Sequence, residues 1–124
     1  MHILDSSAII EILYGSAIGK KIEEKIKDDP VATTSFSVFE VLIGEAPRNM
    51  EKTFSFLRTM EILPFDSEAA RHSLEIEKEL SKKGRKANIV DVFILGVCKQ
   101  YSLALITLDK GMKNTSLVHV EVVE

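Results

Sequence analysis

A three-layer α/β domain with a central parallel sheet, flanked by helices as in Rossmann-like folds, is the architecture this sequence predicts. Three observations point to it. The stretches His2-Ile3-Leu4 and Val31-Ala32-Thr33-Thr34 are short and largely apolar without alternation, as strands buried on both faces are. Such stretches alternate along the chain with longer segments of helical spacing. The 124 residues, 45% of them hydrophobic, suit one domain spanning 1–124 with a single interior.

Strands are expected over 2–4, 31–34, 61–65, 103–107 and 117–123. The last alternates around His119 and Glu121, so it reads as an edge strand with His119 facing water. Helices are expected over 7–14, 17–27, 38–44 and 50–60. A further helix opens at a cap around Asp66 and runs to about residue 83, with Ala69, Ile76 and Leu80 at helical spacing and His72 on its surface. The final helix covers 89–101.

Composition excludes several classes. Charged residues make up 28%, which a disordered chain of this hydrophobicity does not show. No apolar run approaches the ~18 residues that span a bilayer, and none reads as a secretory signal. The single cysteine, Cys98, rules out an internal disulfide and suits a reducing cytosol, so a cytoplasmic, membrane-free protein is expected. Sixteen basic and 19 acidic residues give a net charge of −3, unlike broadly nucleic-acid-binding domains. The one dense basic run holds Lys82, Lys83, Arg85 and Lys86. It reads as a solvated helix end closed by Gly84, or as a phosphate contact beside the helix that follows.

Four acids stand apart from the charged surface runs. Asp5 closes the first strand, Glu40 lies within Phe36-Ser-Val-Phe-Glu-Val-Leu-Ile43, Asp91 opens the most apolar helix, and Asp109 follows Leu105-Ile-Thr-Leu108. Each has an ordinary structural reading. Ser37 and Glu40 fit a capping box, Asn88 caps the helix of Asp91, Asp5 can cap the first helix although Ser6 and Ser7 are adequate caps already, and Asp109-Lys-Gly fits a turn. Together they point elsewhere, because strand carboxyl ends and the helix starts they feed are where parallel sheets build sites. Unit charges ~4 Å apart repel by ~4 kcal/mol at an effective dielectric of about 20, so such a cluster needs protons or cations. Ligands that are all hard oxygens select Mg²⁺ or Mn²⁺. With no glycine-rich phosphate loop, hydrolysis of a nucleic-acid backbone fits better than nucleotide hydrolysis.

The segments LDSSAII, SVFEVLIG, NIVDVFIL and LITLD, in this order and spacing, resemble the PIN-domain family, and within it the small VapC-like toxins of type II toxin–antitoxin pairs. The resemblance covers the whole chain. It implies a Mg²⁺- or Mn²⁺-dependent endoribonuclease acting on tRNA, rRNA or mRNA, a homodimer, and a small VapB-like antitoxin as partner. Carried over by position, Asp5, Glu40, Asp91 and Asp109 are its metal-binding and catalytic acids, with Ser7 and Thr107 as supporting hydroxyls and Asn114 as a further contact. Two departures stand out: Ile94-Leu95-Gly96 where many relatives carry paired alanines, and Leu108 where an arginine is common. The apolar segments 36–43 and 54–57 belong to the core or to a partner groove. A non-catalytic α/β binding module is the competing class, either a phosphoacceptor receiver or an inactive PIN protein. A receiver needs paired acids at the first strand and a lysine after a late one, whereas Asp5 precedes two serines and Lys110 directly follows Asp109.

Overall fold

The computed structural model describes the whole sequence, Met1 to Glu124. Strands β1 (His2–Leu4), β2 (Val31–Thr34), β3 (Glu61–Leu63), β4 (Ala104–Thr107) and β5 (Val120–Val122) form one parallel sheet in the order β3-β2-β1-β4-β5. Helices α1 (Ser6–Tyr14), α2 (Ala17–Ile26), α3 (Ser35–Ile43), α4 (Met50–Leu57), α5 (Ser67–Lys82) and α6 (Ile89–Tyr101) supply the outer layers. Alternation along the central strands divides the interior in two. Ile3 and Leu105 join Ala69, Ile76, Leu80 and Leu95 on the α5–α6 side. Leu4 and Ile106 join Ala8, Ile22, Val41 and Leu57 on the other. No helix is long and apolar enough to cross a membrane.

The strand order reverses between β1 and β4, which lie side by side with Leu4 opposite Ile106. A crevice therefore opens at their carboxyl ends, where the chain leaves β1 for α1 and β4 for the turn after Thr107. A trio of aromatics braces that edge. Phe65 packs 5.4 Å from Phe36 of α3 and 4.6 Å from Phe93 of α6, centroid to centroid, tying the starts of both helices together.

Several boundaries differ from expectation, for local reasons. The strand expected over 61–65 stops at Leu63 because Pro64 has no N–H to give the ladder. The last strand covers only Val120–Val122, at the sheet edge, and His119 faces solvent as predicted. Helix α3 starts three residues early, since Thr34 Oγ1 caps it by accepting from Ser37 N at 3.2 Å. The Ser37–Glu40 capping box is thereby corrected. Ser37 is a buried residue of the first turn, and Glu40 lies in the second. The Gly96 departure also has a cause. A Cβ there would lie 1.9 Å from Ser73 Oγ and 2.9 Å from Ala69 O, so α5 and α6 cross too closely for alanine.

Candidate active site

Asp5 is both helix cap and buried site residue, at 5% exposure. Its Oδ1 accepts from Ala8 N at 3.2 Å and from Ser7 Oγ at 2.6 Å, while Thr107 Oγ1 donates to Oδ2. The same two hydroxyls also accept backbone N–H groups of the chain leaving β4. Leu108 N reaches Ser7 Oγ at 3.0 Å, and Asp109 N reaches Thr107 Oγ1 at 3.0 Å. Ser7 and Thr107 thus stitch the exit of β1 to the exit of β4 and fix the direction of the Asp5 carboxylate. The expectation that Ser6 and Ser7 cap this helix is overturned. Both lie inside its first turn, and Asp5 caps it.

The other acids approach this point from three elements. Asp91 stands in the first turn of α6, half-buried, behind the Asn88 cap that accepts from Val90 N at 2.9 Å. Burial, then the charges of Asp109, Glu40 and Asp5, push its carboxyl up to about 6. Burial likewise raises Asp5, although its hydroxyl and backbone donors oppose the shift. Glu40 is exposed on α3 and accepts from Ser6 Oγ at 3.2 Å. Asp109 is exposed and accepts from Gly111 N at 2.8 Å, capping the short 3₁₀ turn Lys110–Asn114. No lysine, arginine or histidine pairs with any of the four.

The donor set suits a hard divalent cation in chemistry: four carboxylates without counter-ions, three of whose charges act on the fourth, Asp91. It does not form a ready cage, since no three acidic, histidine or cysteine side chains stand close enough to hold one ion directly. Water molecules between ion and carboxylates are what Mg²⁺ ordinarily retains.

A cleft of about 150 Å³ lies against Asp91 and Asp109, with Lys86, Asn88, Asn114 and Thr115 among its walls. The basic run divides accordingly. Lys86 lines the cleft and pairs with no acid, whereas Lys82, Lys83 and Arg85 do not line it. Lys83 is committed to Glu79 and to Asn114 O. The run ends α5 as a helix terminus should, with Gly84 at φ +67 and Arg85 N donating back to Leu80 O at 2.9 Å. Sequence reasoning missed Glu79, whose partners lie 36 and 37 residues away, and no periodicity signals such a pairing. A larger recess of about 550 Å³ lies elsewhere, floored by Leu4, Ile12, Ile26, Phe56 and Met60, and includes none of the four acids.

Comparison with known proteins agrees with this architecture. A family model for the PIN domain matches residues 2–117. Ribonuclease VapC5 of Mycobacterium tuberculosis is 29% identical over 114 residues, 86% of this chain and 82% of its own length. The tRNA(fMet)-specific endonuclease VapC of Salmonella typhimurium is 30% identical over 79 residues, 60% of each. Among solved structures, DNA-bound VapBC from Salmonella typhimurium matches with a TM-score of 0.81 at 21% identity, over 97% of this chain and 96% of that one. FitAcB from Neisseria gonorrhoeae matches at 0.81 and 24%, with the same coverage. The structural likenesses bear on fold alone; the family model spans nearly the whole sequence. The chain belongs to the PIN domain family.

Proposed function

We propose that this protein is an endoribonuclease that hydrolyses RNA phosphodiester bonds with Mg²⁺ or Mn²⁺, the toxin of a VapBC-type pair. The observation that carries the reading is the convergence of four unpaired carboxylates at the switch point, with Asp91 held at about 6. The relatives named as a ribonuclease and a tRNA-specific endonuclease support nuclease chemistry. Membership in the PIN family removes the phosphoacceptor receiver as an alternative.

In this reading Asp5, Asp91 and Asp109 hold the cation, with Glu40 flanking. Bound there, it neutralises the cluster and stabilises charge developing on the phosphate. The chain's own residues supply position. Ser7 and Thr107 fix the Asp5 carboxylate, and the carboxylates of the cluster orient the water that attacks phosphorus. Lys86 and Asn114, both in the cleft wall, contact the phosphates of an RNA strand crossing it. Loss of the common arginine at Leu108 leaves Lys86 as the cation in the cleft wall. Lys86→Glu weakens RNA binding and flattens its dependence on salt, measured by fluorescence anisotropy at several salt concentrations. An unchanged slope returns Lys86 to the solvated helix end.

Apolar side chains left at the surface, Phe39 at 63% and Ile43 at 71% exposure, are assigned to a homodimer or a small VapB-like antitoxin. The VapBC complexes among the fold's neighbours support the second. Cleavage of purified tRNA and rRNA with Mg²⁺, with Mn²⁺ and with chelator tests the enzymatic reading.

A further inference from the structure

Glu79, near the C-terminal end of α5, receives more donors than any acid of the site. Thr115 Oγ1 and Ser116 Oγ donate to its carboxylate, and Ser116 N reaches the two oxygens at 3.2 and 3.0 Å. Lys83, one turn on, donates to Glu79 at 3.3 Å and to Asn114 O at 3.1 Å. One acid and one base thus grip three consecutive residues, Asn114 to Ser116. Burial opposes ionisation of Glu79, but the bonds from Ser116 and Thr115 outweigh it and hold the carboxyl at about 2.

What they grip is the far end of the turn that begins at Asp109. That turn is short. Its first bonds are Gly111 N to Asp109 Oδ1 and Met112 N to Asp109 O, and only Met112 and Thr115 bury side chains near it. Asn114 and Thr115 line the cleft together with Asp109 and Asp91. Asp91 and Asp109 line this one cleft and neither has a cationic partner, so like-charge repulsion works to spread it. A 3₁₀ turn of five residues resists this poorly by itself.

We propose that Glu79 and Lys83 are positioning residues that hold the Asp109 turn against this repulsion, so that the cleft is formed before a cation enters. The inference rests on the cation-dependent ribonuclease reading above. Neither residue touches the cleft's ligand; both act through Asn114 to Ser116. Preorganisation of this kind removes an ordering cost from binding.

The test compares Glu79→Gln and Ser116→Ala with wild type, and uses Glu45→Gln, whose carboxylate bonds Thr53 on the other side of the sheet, as control. Three quantities are read: amide exchange over residues 112–117, Mn²⁺ affinity by calorimetry, and kcat and KM for RNA cleavage. Glu79→Gln is expected to speed exchange and weaken Mn²⁺ binding, each on the order of tenfold, the worth of one charge-assisted hydrogen bond. kcat falls while KM stays within about twofold, because RNA contacts outside the turn persist. Ser116→Ala shifts all three the same way by less, and Glu45→Gln moves none. Unaltered exchange, or faster exchange with wild-type Mn²⁺ affinity, overturns the proposal. A wild type that cleaves no RNA with either cation removes the ribonuclease reading, and Mn²⁺ affinity then decides the clamp alone.

Discussion

Asp91 carries a pH signature that follows from its position. Its carboxyl titrates near 6 in the fold against 3.8 for an ordinary aspartate. The unfolded chain releases this proton first, so the contribution of Asp91 to stability is lost as pH rises from about 4 to about 6. Asp29, Asp66, Glu75, Glu79 and Glu121 are lowered and contribute the opposite slope, stability that is lost in acid. The informative quantity is therefore a difference. Without divalent cations, Asp91→Asn is expected to melt higher than wild type above pH 6 and to match it near pH 4, in thermal scans at each pH. If the proposed cation binds here it competes with the same proton, and Mg²⁺ affinity is then expected to rise through pH 6 in calorimetry. Thr107 is a second decisive residue. Thr107→Val strips Asp5 of a donor and leaves Asp109 N without its acceptor, a loss of about 1–3 kcal/mol in denaturant unfolding. At this scale the sequence singled out four acids that the fold gathers around one crevice, but not how they are held. For Asp5 the sequence offers cap and site as alternatives, whereas the structure gives both positions to one carboxylate. The partners that fix it, Thr107 above all, lie 102 residues away and leave no local trace.

The elements show why some boundaries were legible and others were not. Strong periodicity and a cap at Asp66, accepting from Ala69 N at 2.9 Å, placed α5 correctly. The start of α3 is hidden in the sequence because Ser37 and Glu40 mimic a capping box, while Thr34, the actual cap, is also the last residue of a strand. Glu40 consequently sits a turn deeper in its helix and more exposed than its apolar neighbours suggested. The Lys110–Asn114 turn carries no pattern at all, since its conformation depends on Glu79 and on the buried Met112. Helix packing adds a stringent constraint at Gly96. Gly96→Ala forces apart α5 and α6 at Ser73 and is expected to cost about 1–3 kcal/mol, read as a fall in denaturation midpoint. Ser73→Ala beside it removes the atom at 1.9 Å and recovers part of the loss, which distinguishes overpacking from helix propensity.

For the whole molecule, the parallel sheet and its three layers were readable from strands without alternation set between amphipathic helices. Strand order was not, because it depends on where each crossover lands. That order matters most for function: placing β1 beside β4 brings residue 5 and residue 109 to one crevice and leaves the largest apolar recess on another surface. If Phe39 and Ile43 serve self-association, Ile43→Glu shifts the isolated chain toward monomer in sedimentation velocity without altering its melting temperature. The proposed activity depends above all on the acid cluster. The most direct measurement is cleavage of purified RNA by wild type and by Asp5→Asn, with Mg²⁺ or Mn²⁺ and with chelator, alongside their melting curves. Wild type is predicted to cut only with the cation, and Asp5→Asn to lose activity by a factor on the order of 10²–10³ while remaining folded. Equal cleavage by the variant, or cleavage that persists in chelator, contradicts it.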